Sequence, residues 1–133
     1  NNYLISGSKD KNLRLWGLDT PNNSYKSTIY AHNDYINAIV RKHFSNLGDS
    51  HMSLFYSGAK DGQVKAGMIS KERIDLVGSI DCHSDSVNCV ASLEEADTSC
   101  GFITGSNDKT IKIWKASADT QDNLQTQILY DSS

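Results

Sequence analysis

An eleven-residue pattern occurs three times in this chain without gaps, and few folds accommodate such a repeat. Each copy begins with Ser or Thr followed by Gly and has an Asp at its fifth position. A short polar turn follows the Asp and leads into the last residues of the copy. The copies are residues 6–16, 57–67 and 104–114, and their aspartates are 51 and 47 residues apart. His32 lies 29 residues before the second Asp, and His83 lies 25 before the third. Because several residue types recur in one register, we predict a fold built from repeated units.

The local pattern of every unit predicts β-strands. A short apolar run precedes each turn, and strict apolar–polar alternation follows it, most clearly in residues 111–114. Further strands are predicted after each histidine, over residues 35–40 and 87–93, and a last strand closes each unit. No window has a sustained helical period. The sequence therefore predicts an all-β chain of eleven antiparallel strands, three in the first unit and four in each of the others.

These residues resemble the WD-repeat family, and the resemblance covers essentially the whole chain. It implies a β-propeller of four-stranded blades. The expected boundaries are residues 1–30 for an incomplete first blade, 31–81 for the second and 82–130 for the third. Propellers typically need about four to eight blades. We therefore expect the remaining propeller blades elsewhere in a longer parent chain, the alternative being a ring completed by several copies of this segment.

In the WD-repeat family a His, a Ser or Thr, the Asp and a Trp form a hydrogen-bonded relay within each blade. The relay residues that the resemblance implies are Ser6, Asp10 and Trp16 in the first blade, His32, Ser57 and Asp61 in the second, and His83, Thr104, Asp108 and Trp114 in the third. Gly67 stands where the second blade should carry Trp. We therefore expect loose packing at the third strand of that blade, and a gain in stability from Gly67→Trp if the pocket persists.

The same His, Ser or Thr, and Asp residues could instead form a hydrolase triad. Against this alternative, the trio occurs in two blades, whereas an enzyme needs its nucleophile once. The chain also has no Gly-x-Ser-x-Gly elbow, no phosphate-binding glycine loop and no HExxH motif. We interpret the chain as non-catalytic, and we expect Asp108→Ala to destabilise the third blade by roughly 2–4 kcal/mol.

Composition argues against cofactors, nucleic acid and membranes as direct ligands. The thirteen Lys and Arg residues are scattered and the net charge is −3, so no basic stripe is available for phosphates. Cys82, Cys89 and Cys100 form no C-x-x-C pair, which argues against a zinc site and favours free thiols in the reducing cytoplasm or nucleus. No apolar run approaches the roughly 18 residues of a membrane helix. No metal and no cofactor is expected.

Propeller geometry in the family places the Asp turns and the residues after each His on one face, here called the top face. The candidate partner-binding residues on this face are Lys9, Asn33, Asp34, Tyr35, Lys60, Asp85, Ser86 and Asn107. Tyr35 is the one aromatic residue among them, and aromatic residues are enriched at interfaces. The alternative is that Tyr35 only packs at a blade junction. The mixed charge of this face favours a protein partner over a polyanion.

The opposite face is expected to carry the long polar loops, over residues 17–25, 42–52, 94–99 and 117–123. We interpret these loops as tolerated insertions without a partner.

A finer resemblance rests on residues 14–16, on residues 24–25 and 35–37, and on the Trp-free run 60–69 with its successor at 110–115. These segments resemble the N-terminal propeller of the phospholipase-activating-protein family of ubiquitin adaptors. That resemblance implies a seven-bladed, ubiquitin-binding propeller in an adaptor for the valosin-containing AAA ATPase of the ubiquitin–proteasome pathway. The alternative function is a structural WD-repeat subunit of a large assembly, in ribosome biogenesis, trafficking or the cytoskeleton.

Overall fold

A computed structural model describes residues 3–18, 25–42, 53–70, 72–93, 100–118 and 124–131. These residues form strands and turns, with no helix that could cross a membrane. The strands are β1 (Tyr3–Gly7), β2 (Asn12–Gly17), β3 (Tyr25–Tyr30), β4 (Ile36–Lys42), β5 (Ser53–Ala59), β6 (Gln63–Ser70), β7 (Arg73–Asp81), β8 (Val87–Ser92), β9 (Cys100–Ser106), β10 (Ile111–Ala118) and β11 (Leu124–Asp131). The all-β prediction is confirmed.

The strands form three antiparallel sheets in which consecutive strands are neighbours. We name them the first blade (β1-β2-β3), the second blade (β4-β5-β6-β7) and the third blade (β8-β9-β10-β11). The repeat positions pair alike in all three, since Leu4 faces Trp16, Phe55 faces Gly67 and Phe102 faces Trp114. In this alignment β1 corresponds to β5 and β9. The described residues of the first blade contain no counterpart of β4 or β8.

Each Asp turn is closed by the aspartate side chain itself. The carboxylate Oδ1 accepts the backbone N–H two residues later in all three turns: from Asn12 to Asp10 at 3.1 Å, from Gln63 to Asp61 at 2.9 Å and from Thr110 to Asp108 at 2.9 Å. The residue between them has a left-handed backbone, with φ of 74° at Lys11, 81° at Gly62 and 72° at Lys109. These local bonds explain the tight hairpins between β1 and β2, between β5 and β6, and between β9 and β10.

The Asp turns of the first two blades also form backbone hydrogen bonds with the segment that leads into the following blade. The carbonyl of Lys11 accepts the backbone N–H groups of Ala31 and His32 at 3.1 and 3.3 Å. The carbonyl of Gly62 accepts those of Cys82 and His83, both at 3.1 Å. The two relay histidines are therefore positioned by the blade that precedes their own.

Apolar side chains fill the two junctions between neighbouring blades. The first junction contains Leu13, Leu15 and Ala31 with Ile36, Phe55 and Ile74. The second contains Leu54, Tyr56, Val64, Ala66, Ile80 and Cys82 with Val87, Phe102 and Trp114. In the second junction the rings of Tyr56 and Phe102 are 4.5 Å apart, centroid to centroid. Burial of these side chains is the main source of stability, because each blade exposes an apolar face until a neighbour covers it.

Close approach between blades depends on the glycine of the repeat. A Cβ on Gly58 would lie 2.6 Å from Val87 Cγ1, and one on Gly7 would lie 2.5 Å from Ile36 Cγ2. Val87 and Ile36 are the first residues of β8 and β4. The glycine thus leaves room for a branched side chain from the first strand of the next blade.

Hydrogen bonds clamp β4 to β8 at both ends. At the top, Asn37 Nδ2 donates to Ser86 Oγ at 2.9 Å and to the carbonyl of Val87 at 3.0 Å. At the opposite end, the buried ammonium of Lys42 donates to the carbonyl of Leu93. Neither contact was predicted from the sequence. Most residues of the four long loops lie outside the described ranges.

The loose packing expected beside Gly67 is not found. A Cβ on Gly67 would lie 2.3 Å from Phe55 Cζ, and both residues are buried. The Phe55 ring, from the neighbouring strand, fills the space above the glycine. The pocket that a tryptophan would need at this position is therefore occupied.

Candidate functional site: the relay and the top face

The third blade brings all four relay residues into one chain of hydrogen bonds. Trp114 Nε1 donates to Thr104 Oγ1 at 2.9 Å, and Thr104 Oγ1 is 2.7 Å from His83 Nε2. His83 Nδ1 is 2.8 Å from Asp108 Oδ2. Because indole only donates and carboxylate only accepts, we assign the Thr104 proton to the bond with Nε2 and the imidazole proton to Nδ1. Every bond of the chain then has one donor and one acceptor.

Asp108 is held as an anion by its hydrogen bonds. Burial alone would raise the pKa of Asp108, but bonds from the Thr110 side chain and from His83 outweigh it and hold the pKa well below its usual range. Oδ2 also accepts the backbone N–H of Ser84 at 3.3 Å. The carboxylate therefore ties the Asp turn to the segment that precedes β8.

The second blade has the same relay without its indole. His32 Nε2 lies 2.9 Å from Ser57 Oγ, and His32 Nδ1 lies 3.2 Å from Asp61 Oδ2. Burial lowers the pKa of His32, although Asp61 opposes this effect. The imidazole is thus neutral at pH 7 and donates through Nδ1. Asn33 adds a backbone bond to Asp61 at 3.1 Å.

In the first blade, Arg14 bonds the Asp turn where the other blades use a histidine. Trp16 Nε1 donates to Ser6 Oγ at 2.9 Å, as the relay predicts. The guanidinium of Arg14 lies 2.5 Å from Asp10 Oδ2, the oxygen that bonds histidine in the other two blades. The hydrogen bond from Arg14, together with the backbone N–H of Asn12, lowers the pKa of Asp10 to about 2. In the sequence, a basic residue follows each repeat aspartate by four positions, and in the first blade this residue is Arg14.

The arrangement does not suit nucleophilic catalysis. Ser57 and Thr104 are fully buried, so a substrate carbonyl could not reach either hydroxyl. The Thr104 oxygen already accepts a hydrogen bond from indole. Within the described residues no group of His, Cys, Asp and Glu side chains could hold a metal ion. Burial raises the pKa of the Cys82 thiol to about 12, which opposes the thiolate form that metals require.

On the top face, Tyr35 lies between the turns of two blades. Its side chain is 41 % exposed. Lys9 Nζ and Lys60 Nζ lie 5.8 and 5.3 Å from the ring centroid, within the range of cation–π contacts. The backbone N–H of Tyr35 donates to Asp34 Oδ1 at 2.8 Å, and its carbonyl accepts the N–H of Lys60 at 2.8 Å. Tyr35 thus sits at a blade junction and still presents its ring to solvent.

The other predicted contact residues divide into exposed and buried ones. Asn33, Asp85 and Asn107 are exposed, whereas Ser86 is buried. Ser86 is 4 % exposed and its hydroxyl accepts the amide of Asn37 in the second junction, so little of it is available to a partner, whereas its role in binding stays a prediction. Asn107 Oδ1 accepts the amide of Asn88 at 2.5 Å, so its side chain is held against β8.

Comparison with known proteins gives the family of the repeat. Residues 1–17 and 74–115 match the family described as WD domain, G-beta repeat. Over these two segments the chain is similar to WD40 repeats. WD40 domains bind protein partners.

Two curated relatives are similar to this chain over most of its length. The "Ribosome biogenesis protein WDR12 homolog" of Drosophila mojavensis is 28% identical over 131 residues, which are 96% of this chain and 28% of the relative. The "Poly(A)+ RNA export protein" of Schizosaccharomyces pombe is 29% identical over 112 residues, which are 84% of this chain and 29% of the relative. The chain therefore spans less than a third of each. Neither is named as a ubiquitin adaptor, in contrast to the finer resemblance.

Proposed function

We propose that these WD40 repeats belong to a closed β-propeller that serves as a structural subunit of a large assembly acting on RNA-containing particles, in the nucleus or between nucleus and cytoplasm. Support for the class of assembly comes from the two relatives, which are named for ribosome biogenesis and for poly(A)+ RNA export. In this role the propeller provides surfaces for protein partners, and the particle's RNA need not touch it.

The observation that carries the closed propeller is the exposure of two side chains that are buried in neighbouring repeats. Leu4 is 52% exposed, whereas Phe55 at the same repeat position is 1% exposed. Ile111 is 51% exposed, whereas the equivalent Val64 is fully buried. Since the internal junctions bury these positions against a neighbouring blade, a further blade of the same kind on each side would cover Leu4 and Ile111.

Purification of the intact protein from cell extract, followed by sucrose-gradient sedimentation, tests the function. We expect the protein to sediment with a large ribonucleoprotein particle and to keep its protein partners after ribonuclease treatment. Sedimentation as a free monomer at all salt concentrations would contradict the proposal. Loss of every partner with ribonuclease would contradict the protein-scaffold role.

Ubiquitin binding remains a second candidate, because Tyr35 is exposed on the top face at the position included in the finer resemblance. A titration of isotope-labelled ubiquitin with the intact propeller, followed by NMR, tests it. Saturable shifts on one ubiquitin surface that weaken in Tyr35→Ala would favour the adaptor function. At about millimolar propeller, the titration detects a binding free energy of only about 4 kcal/mol. An absence of shifts at that concentration would exclude ubiquitin binding.

A further inference from the structure

We infer that Lys9, Tyr35 and Lys60 form a docking site for an acidic segment of a partner protein. These three residues are called the cationic–aromatic patch. The inference deepens the proposed scaffold function and rests on it, since it specifies the chemistry of a partner that the scaffold binds.

The patch is assembled from three separate chain segments. Lys9 lies in the turn after β1, Tyr35 precedes β4 and Lys60 lies in the turn after β5. Both ammonium groups approach the same ring, at 5.8 and 5.3 Å from its centroid. The backbone N–H and C=O of Tyr35 are both hydrogen-bonded, so the backbone that carries the ring is fixed between the two turns. A ligand therefore meets a largely preformed site.

Charge complementarity identifies the ligand as anionic. The carboxylates nearest the patch in sequence are already engaged: Asp10 by Arg14, Asp34 by the N–H of Tyr35, and Asp61 by His32. In the described part of the chain, neither Lys9 nor Lys60 forms an ion pair. Two like charges beside one ring repel each other, and a carboxylate between them would relieve that repulsion.

The extent of the patch favours an acidic protein segment over RNA. In the third blade the positions equivalent to Lys60 and Tyr35 hold Asn107 and the buried Ser86. In the third-blade turn the positive charge continues only as the single Lys109, which is less than the row of cations that binding to a phosphate backbone would require. With a net charge of −3, the chain as a whole also does not attract polyanions. A short cluster of Asp and Glu side chains matches a site of this size.

Fluorescence anisotropy with the full-length protein tests the inference. The probe is a fluorescein-labelled twelve-residue peptide with a central run of Asp and Glu, and its control is the same peptide with Asn and Gln. We expect Lys9→Glu/Lys60→Glu to weaken binding of the acidic peptide by about tenfold or more, and Tyr35→Ala by about three- to tenfold. Binding should also weaken as salt is raised.

The matched control is Lys11→Glu/Lys109→Glu, which changes the net charge equally at two other turn positions. This control should bind the peptide within about twofold of the unchanged protein, because local contacts and not net charge carry the binding. Lys9→Glu/Lys60→Glu should keep the denaturation midpoint of the unchanged protein, since both lysine side chains are exposed.

Three results would overturn the inference. They are the absence of binding at about millimolar protein, equal weakening by both double variants, and equal binding of the Asn and Gln peptide. Tighter binding of a twelve-nucleotide oligoadenylate, lost in Lys9→Glu/Lys60→Glu, would instead identify an RNA surface. If the patch variant still sediments with the large particle while the peptide fails to bind, the docking site is wrong and the scaffold function stands.

Discussion

The ring of Phe55 lies over the α-carbon of Gly67, its partner across the strands, so closely that an added Cβ would stand 2.3 Å from Phe55 Cζ. In the third blade the same two positions hold Phe102 and Trp114, whose rings are nearly parallel with centroids 6.1 Å apart. One ring in the second blade thus takes the space that a stacked pair shares elsewhere. Gly67 departs from the Trp of the other two repeats, and it is nevertheless packed in the core beneath the Phe55 ring.

Gly67→Trp is therefore expected to lower the stability of the propeller by about 1–3 kcal/mol, because it overpacks an occupied site. The double variant Phe55→Leu/Gly67→Trp copies the Leu4–Trp16 pair of the first blade and should recover part of the loss. Urea denaturation of the intact propeller measures both. If the single and the double variant lower the midpoint by the same amount, the Phe55 ring is not what prevents a tryptophan from packing at position 67.

Asp108→Ala should destabilise the propeller by about 2–4 kcal/mol, since it leaves the buried His83 imidazole and the partly buried Thr110 donors without their acceptor. Asp10→Ala is the matched control. Its carboxylate is exposed and bonds mainly Arg14, so the loss should be clearly smaller. Chemical denaturation compares the two variants. Equal losses, or an unchanged midpoint for Asp108→Ala, would remove the argument that the relay stabilises the blade.

Stability should fall as the pH is lowered below about 6.5, in part because of His32. Its folded-state pKa lies below the ordinary value of 6.5, so the unfolded chain binds the proton first. The stabilising contribution is complete above the unfolded-state pKa and is lost as the pH falls toward the folded-state pKa. Denaturation midpoints between pH 8 and pH 5 should decline less steeply in His32→Gln than in the unchanged protein. Parallel curves would assign the pH dependence to other groups.

Gly58→Ala should cost about 1–3 kcal/mol, because the new methyl group would meet the stiff side chain of Val87 from the next blade. Val87→Ala relieves the nearer contact and leaves Val90 Cγ2 at 2.8 Å, so the two changes should be partly non-additive in a double-mutant cycle. Additive losses would mean that this contact does not limit the approach of the blades.

The same change at Gly105 tests whether a further blade follows the third. Within the described residues, a Cβ on Gly105 meets only Cys89 Sγ, at 2.8 Å, and a thiol can rotate away. In the intact protein, Gly105→Ala should nevertheless cost as much as Gly58→Ala if a fourth blade packs there. A negligible loss would argue against the closed propeller.

The repeat in the sequence was sufficient to predict the strands and the contacts that lie in one register. Thr104 and Asp108 lie four residues apart, as Ser57 and Asp61 do, and antiparallel strand pairing brings His83 to both of them. Contacts that replace a missing repeat residue were not predictable in this way. Arg14 reaches Asp10 because no histidine does so among the described residues, and Phe55 covers Gly67 because no indole does.

Burial of individual top-face residues also depended on information that the repeat does not contain. Ser86 and Tyr35 follow their histidines at the same distance, yet one is buried and the other exposed. The difference arises from side-chain size and from Asn37, which reaches across the junction to Ser86. The residue pattern of one repeat does not predict a contact made by a side chain of the neighbouring blade.

The carbonyls of Lys11 and Gly62 give the array a direction. Each accepts the N–H of the histidine that begins the following relay, and that histidine then bonds the next turn through its aspartate. A displacement of one Asp turn is therefore passed through the histidine to the Asp turn of the next blade. We expect neighbouring blades to unfold together under tension, because each blade is hydrogen-bonded to the one that follows it.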